Sequence, residues 1–171
     1  MSTREHWEHI YGTKPADQVS WYSPHLEPSL NLIERAAPSR QAAIVDVGGG
    51  ASTLVDDLLA RGYENLTVVD ISEAAIATAS KRLAAQAGRV HWRVGDVTEI
   101  ELAPAHYDLW HDRAVFHFLT DPASRAAYVR QLLHALKRGG HAIIGTFGPE
   151  GPTRCSGGRS AATPGWPRRC A

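Results

Sequence analysis

Residues 44–54 read Ile44-Val45-Asp46-Val47-Gly48-Gly49-Gly50-Ala51-Ser52-Thr53-Leu54, an aliphatic run that enters three consecutive glycines and then a helix-forming stretch. A short apolar, β-branched run of this kind predicts a strand buried on both faces. Glycines directly after it allow a tight turn and a close backbone approach to a ligand, with no Cβ in the way. The start of the following helix offers unpaired N–H groups, so this junction is a place for a ligand. The next strand ends in Val68-Val69-Asp70, and Asp70 stands 20 residues after Gly50. At that separation an acid on the neighbouring strand reaches ribose hydroxyls. Neighbouring parallel strands lie about 5 Å apart, which brings the glycine turn and Asp70 to one crevice.

Outward from this unit, strand-like and helix-like segments alternate. The expected strands are Ala43–Val47, Leu66–Asp70, Val90–Val94, Tyr107–Trp110 and His141–Thr146. Alternation of this kind predicts an α/β fold with a parallel sheet covered by helices. Ser72 followed by Glu73 opens a helix over Ala74–Ala87, and Asp121 before Pro122 caps another. In that last helix Tyr128, Leu132, Leu133 and Leu136 form a stripe expected to pack on the sheet, and Gly139-Gly140 is expected to end it. Upstream, residues 3–12 and 25–37 read as two helices joined through Trp21-Tyr22-Ser23-Pro24. The chain thus divides into a lid-like helical extension (1–40), a ligand-binding core (41–153) and an irregular tail (154–171).

The chain has 171 residues, enough for one domain, with 18 basic and 18 acidic side chains. Zero net charge gives no reason to expect nucleic acid or an anionic membrane as partner. Four of the arginines, Arg154, Arg159, Arg168 and Arg169, lie in the tail with no acid beside them, so 14 basic residues face 18 acids upstream. No apolar run approaches the roughly 20 residues that span a bilayer. The N-terminus lacks the apolar segment of a secretory signal, which points to the cytoplasm. Cys155 and Cys170 alone build neither a disulfide framework nor a cysteine metal site. The histidine pairs His6/His9 and His111/His117 lack the paired carboxylates of a metal centre, so no metal is expected.

Asp46-Val47-Gly48-Gly49-Gly50 resembles the D-x-G-x-G motif of class I S-adenosylmethionine-dependent methyltransferases. That family's ribose-binding acid falls at Asp70 and its adenine-side segment at Gly95-Asp96-Val97, so the resemblance spans about residues 1–153. A dinucleotide-binding protein would more often show a third glycine where Thr53 stands, which makes an NAD-dependent oxidoreductase the lesser reading. The resemblance implies a Rossmann-like, doubly wound, three-layer α/β/α sheet in the order 3-2-1-4-5. It implies S-adenosylmethionine as cofactor and S-adenosylhomocysteine as product. Gly48, Gly49 and Gly50 would bring the backbone to the methionine part, Asp70 would hold the ribose hydroxyls, and Asp96 the adenine amino group, with Ile71 and Val97 on the adenine faces. Asp46 either caps loop amides or contacts the cofactor directly. Trp21, with Trp7, Tyr11 and Tyr22, either closes over the sulfonium, an attraction worth roughly 0.5–2 kcal/mol, or staples the helices to the core.

The sequel to the fourth strand, Trp110-His111-Asp112-Arg113-Ala114-Val115-Phe116-His117, puts polar groups at the reaction edge. Methyl transfer proceeds by in-line attack on the sulfonium methyl, so positioning matters most and proton removal sometimes. Asp112, with His111 or His117 behind it, is the candidate base or orienting group; alternatively His111 and Arg113 support Asp112, and His117 packs its helix. The D/N-P-P-Y/F segment of amide- and nucleobase-methylating branches is absent. A small-molecule acceptor is therefore expected. A protein lysine is the alternative, because Arg4, Trp7 and Tyr11 match the Lys/Arg-x-x-Trp-x-x-x-Tyr pattern of elongation-factor-type lysine methyltransferases.

Members of that family continue past strand five to two further strands, seven and six. The tail, with Pro164 and Pro167, has no strand period, which suggests a truncated enzyme whose tail is an out-of-frame translation. On that expectation strand five becomes an exposed edge open to homo-oligomerisation, and a cofactor-binding protein with little activity is a further alternative.

Overall fold

The computed structural model describes residues 3–13, 18, 22–113, 115–146, 154–155 and 158–159. Five parallel strands, β1 (Ala43–Val47), β2 (Asn65–Asp70), β3 (Val90–Val94), β4 (Tyr107–Arg113) and β5 (Leu136–Gly145), form one sheet in the order β3-β2-β1-β4-β5. This is the doubly wound order expected from the sequence. The strand that carries Asp46 lies at the centre, between the strands that end in Asp70 and in Asp112-Arg113. Every residue of β1 is buried.

Alternate residues feed opposite faces, as the pleat requires. Ile44 and Leu109 join Leu30 and Ile33 of α2 (Glu27–Ala36) and Leu58 of α3 (Leu54–Ala60) on one face. Val45, Val47 and Trp110 join Tyr128 and Ala135 of α5 (Pro122–Ala135) on the other. Helix α4 (Glu73–Leu83) adds Ile76 and Leu83 to the first layer. Burial of these large apolar side chains, each worth about 1.5–3 kcal/mol, is the main force that holds the three layers together.

Several helix boundaries follow from local chemistry. Ser72 caps α4 by accepting the Ala75 amide, and Asp121 caps α5 by accepting the Ser124 amide. Helix α4 is shorter than the sequence suggests and passes into a 3-10 turn over Ala84–Arg89. Burial on both faces holds for β1, β2 and β4; β3 and β5 are largely exposed because each has a strand neighbour on one side only among the described residues.

Two expectations near α5 need correction. Leu133 is 69% exposed and lies off the buried stripe. The helix ends at Ala135, not at the glycine pair: Leu136 takes an extended ψ of 140° and pairs with Tyr107, so Gly139-Gly140 lie inside β5. Leu136 packs against the same cluster either way, and sheet pairing decides its backbone. The tail also departs from its reading, since β6 (Arg154–Cys155) and β7 (Gly158–Arg159) form a two-residue antiparallel ladder. The remainder of the tail lies outside the described residues. Helix α1 (Thr3–Thr13) sits at the carboxyl ends of the strands, against α4 and the turn after β4.

Candidate functional site

The glycine turn is built around the two flanking acids. Gly48 has φ of +71°, a conformation that favours glycine, and a Cβ there would strike Val115. Its amide donates to the Val69 carbonyl at 2.7 Å, which prolongs the β1–β2 pairing by one residue. Gly50 donates its amide to Asp70 Oδ2 at 3.0 Å, while Ser72 donates to Asp70 Oδ1 at 2.9 Å. A Cβ on Gly50 would lie 2.6 Å from both Asp70 Oδ2 and the Ala75 side chain. The sequence expectation that turn and acid share one crevice is met at atomic contact. Burial pushes the Asp70 carboxyl up to about 6 against the pull of the two amides, and the charges of Asp46 and Glu8 add to the rise.

Asp46 reaches across to β4. Its Oδ1 lies 2.7 Å from His111 Nδ1, and His111 Nε2 lies 2.9 Å from the Ser29 hydroxyl on α2. Asp46 Oδ2 is buried and has no hydrogen-bond partner. Asp112, by contrast, is saturated: Oδ1 accepts the Val115 amide at 2.7 Å, and Oδ2 accepts the Phe116 amide at 3.1 Å and the Tyr128 hydroxyl at 2.6 Å. Full burial raises its pKa to about 6, moderated by these donors and by His111. Three donors on a carboxylate with no exposure give Asp112 the work of holding the 115–116 turn. His117 is 1% exposed, lies against the tilted ring of Phe118 with centroids 4.2 Å apart, and is pushed down to about 4 by burial, so it stays neutral at pH 7.

On the adenine side, Asp96 Oδ1 accepts the Thr98 amide at 2.8 Å and the Thr98 hydroxyl at 2.7 Å. Val97 is buried with Val69 and Leu102, and Ile71 is half-buried directly after Asp70. A narrow cleft runs along the strand ends between Tyr11, Tyr22, Asp46, Gly49, His111 and Arg113. Trp7 packs edge-on against Phe118 with centroids 5.1 Å apart and stacks with Tyr11. Trp21 lies outside the described residues. Among the described residues no group of three His, Cys, Asp or Glu side chains is arranged to hold a metal ion, and no helix is long and apolar enough to cross a membrane.

A nucleoside with a charged amino-acid end fits these groups. The turn admits no side chain at Gly48 or Gly50, Asp70 presents a buried carboxylate beside it, and Asp46 Oδ2 lacks a donor. A family profile described as a methyltransferase domain matches residues 44–140. The chain belongs to the methyltransferase-domain family. The matched segment holds the turn, Asp70, Asp96 and Asp112.

The chain is 27% identical over 118 residues to the eEF1A lysine and N-terminal methyltransferase of Bos taurus, a match that covers 68% of this chain and 17% of that protein. The Mus musculus counterpart is 25% identical, again with 17% of its length covered, so the chain spans about a sixth of these relatives. Among solved structures, the Haemonchus contortus phosphoethanolamine N-methyltransferase 2, in complex with phosphomonomethylethanolamine and S-adenosylhomocysteine, superposes with a TM-score of 0.68 at 21% identity over 84% of this chain and 35% of that one. The CcbJ methyltransferase of Streptomyces caelestis gives 0.67 at 20% identity over 83% and 56%. At these identities the likeness to solved structures concerns the fold.

Three site residues of the methyltransferase carried no local signal in the sequence. Ser29 meets His111 across 82 positions, Tyr128 meets Asp112 across 16, and Glu8 meets Ser72 across 64. Only the apolar spacing of Tyr128 marked its element.

Proposed function

We propose that the chain binds S-adenosylmethionine at the ends of β1, β2 and β4 and directs its methyl group to a small-molecule acceptor. The observation that carries this reading is the convergence of Asp46 and Asp70 on one glycine turn, with one buried carboxylate oxygen left without a donor. When bound, S-adenosylmethionine supplies a methyl electrophile on a sulfonium sulfur. Asp70 would accept the ribose hydroxyls, and Asp46 Oδ2 the α-ammonium. Asp96 would meet the adenine amino group, with Ile71 and Val97 beside the ring. Gly48, Gly49 and Gly50 let the backbone come close to the methionine end.

Tyr11 and Tyr22 line the cleft, and aromatic faces attract cations, an interaction that would favour a sulfonium over a neutral thioether. Asp112 fixes the turn after β4, and through it the shape of the acceptor side. The rate gain in such a reaction comes from in-line positioning and exclusion of water, and the cover of α1 over the strand ends serves both. The sequel to β4, His111-Asp112-Arg113, lacks the D/N-P-P-Y/F segment of amide- and nucleobase-methylating branches, which leaves a small acceptor as the first reading. A protein lysine is the second reading, favoured by the relatives named as eEF1A lysine and N-terminal methyltransferases.

The test is calorimetry with S-adenosylmethionine, run beside an assay for S-adenosylhomocysteine release with pools of small acids, amines, hydroxyl compounds and thiols, and separately with lysate proteins. Turnover with a small pool supports the proposal, and label transfer only into proteins replaces it with the lysine reading. Tight binding without product from any pool assigns the chain a cofactor-binding role without transfer.

A further inference from the structure

The chain of hydrogen bonds Asp46–His111–Ser29 joins the donor side of the crevice to α2, a helix outside the matched family segment. Asp46 and His111 are register partners on β1 and β4, so their side chains stand side by side on one face of the sheet. A carboxylate only accepts, so the ring donates to Asp46 from Nδ1, and Nε2 pairs with the Ser29 hydroxyl. Asp46 is 5% and His111 1% exposed, which leaves water little access to compete for either. With Oδ1 engaged, the carboxylate cannot rotate freely, and Oδ2 is held against the glycine turn, where a Cβ on Gly49 would strike it.

We propose that His111 and Ser29 are positioning residues for methyl-donor binding. They fix the Asp46 carboxylate so that Oδ2 meets a primary ammonium at the amino-acid end of the donor. The inference rests on the S-adenosylmethionine reading above and extends it to two residues that act on the donor through Asp46. An ammonium suits the vacant acceptor because it brings charge and N–H donors together. A carboxylate free to turn would lose that geometry, whereas the nucleoside half, held by Asp70 and Asp96, would be unaffected.

The test compares S-adenosylhomocysteine with 5′-methylthioadenosine, which keeps the nucleoside and lacks the amino-acid end. In calorimetry on the full chain, His111→Leu is expected to weaken S-adenosylhomocysteine about tenfold, the loss of one charge-assisted hydrogen bond, and 5′-methylthioadenosine by less than about twofold. His111→Asn keeps an N–H where Nδ1 stood and is expected to restore affinity to within about threefold of wild type. Ser29→Ala is expected to show the same selectivity at a smaller size, and these two variants carry the test if His111→Leu does not fold. Equal loss for both ligands, or no loss for either, overturns the proposal. A wild-type chain that binds neither ligand overturns the donor reading, and the proposal with it.

Discussion

Glu8 of α1 accepts the Glu73 amide at 2.6 Å, with the Ala74 amide at 3.2 Å and the Ser72 hydroxyl at 3.0 Å on its other oxygen. A carboxylate from the extension thus occupies the N-terminus of α4, where free N–H groups and the helix dipole favour negative charge. Trp7, one position earlier, packs on Phe118 after β4. Helix α1 therefore bridges the turns that follow two different strands.

Removal of this cap by Glu8→Ala is expected to cost about 1 kcal/mol, which lowers the melting temperature by roughly 2–4 °C and speeds hydrogen exchange of the α1 amides. Burial alone would push the Glu8 carboxyl up, but the Glu73 and Ala74 amides, the Ser72 hydroxyl and Arg4 hold it below its ordinary 4.5. The cap is then fully present above the ordinary carboxylate range and is lost as pH falls through the lowered value. Thermal melts of wild type and variant should converge at the acid end; a constant gap at every pH would sink this account.

The Asp70 carboxyl sits near pH 6 because it is buried, so it is half protonated in mildly acid buffer. Its ionised form accepts hydroxyl donors more strongly than its neutral form. S-Adenosylhomocysteine affinity is expected to rise as pH goes from 5 to 7 and to flatten above, and Asp70→Asn should abolish the rise along with most of the affinity. For stability the sign is reversed: a carboxyl raised above its unfolded value binds protons more tightly when folded. Its burden on the fold is relieved as pH falls from about 6 toward 4.

Gly50→Ala places a Cβ against Asp70 and Ala75 and is expected to reduce donor affinity by at least about tenfold, through displacement of the carboxylate. Gly62→Ala is the control: φ there is +84° but nothing lies within 4 Å of the added carbon. That change should cost roughly 1 kcal/mol of stability and leave the affinity alone. Calorimetry and thermal melts on both variants separate ligand approach from backbone strain.

Tyr128→Phe removes the hydroxyl that donates to Asp112 at 2.6 Å and accepts from Trp110 Nε1 at 2.9 Å. The buried indole N–H then loses its partner, a cost of about 1–3 kcal/mol in urea unfolding. With one donor gone, the Asp112 carboxyl should rise further above its value near 6. A variant as stable as wild type would show that the Trp110–Tyr128–Asp112 chain contributes nothing to the fold.

The sequence yields the five strands because central strands carry short apolar runs bounded by glycine or acid, as at Ala43–Val47 and Leu66–Asp70, while their order comes from the family resemblance. It misplaces the start of β5, since Leu136 continues the helical spacing of Tyr128 and Leu132 while its backbone already pairs with Tyr107. Periodicity reports which face is buried, and both conformations bury Leu136. The glycine turn and Asp70 are legible from spacing alone, as the contact of Gly50 with Asp70 bears out. The partner of His111 is not: spacing suggests its neighbour Asp112, and β1–β4 register gives it to Asp46 instead. Side-chain pairing across strands depends on register, which a chain read in one dimension does not contain.

The crowding of Asp46 and Glu8 about Asp70 has a further consequence. Burial first, and then both charges, oppose ionisation of Asp70, so at neutral pH the strand ends hold like charges close together. A cationic ligand offsets them. Folding and donor supply are therefore linked, and a ligand at a hundredfold excess over its Kd adds about 2.7 kcal/mol to the folded state. Within the cell, the abundance of this chain would follow the concentration of its methyl donor.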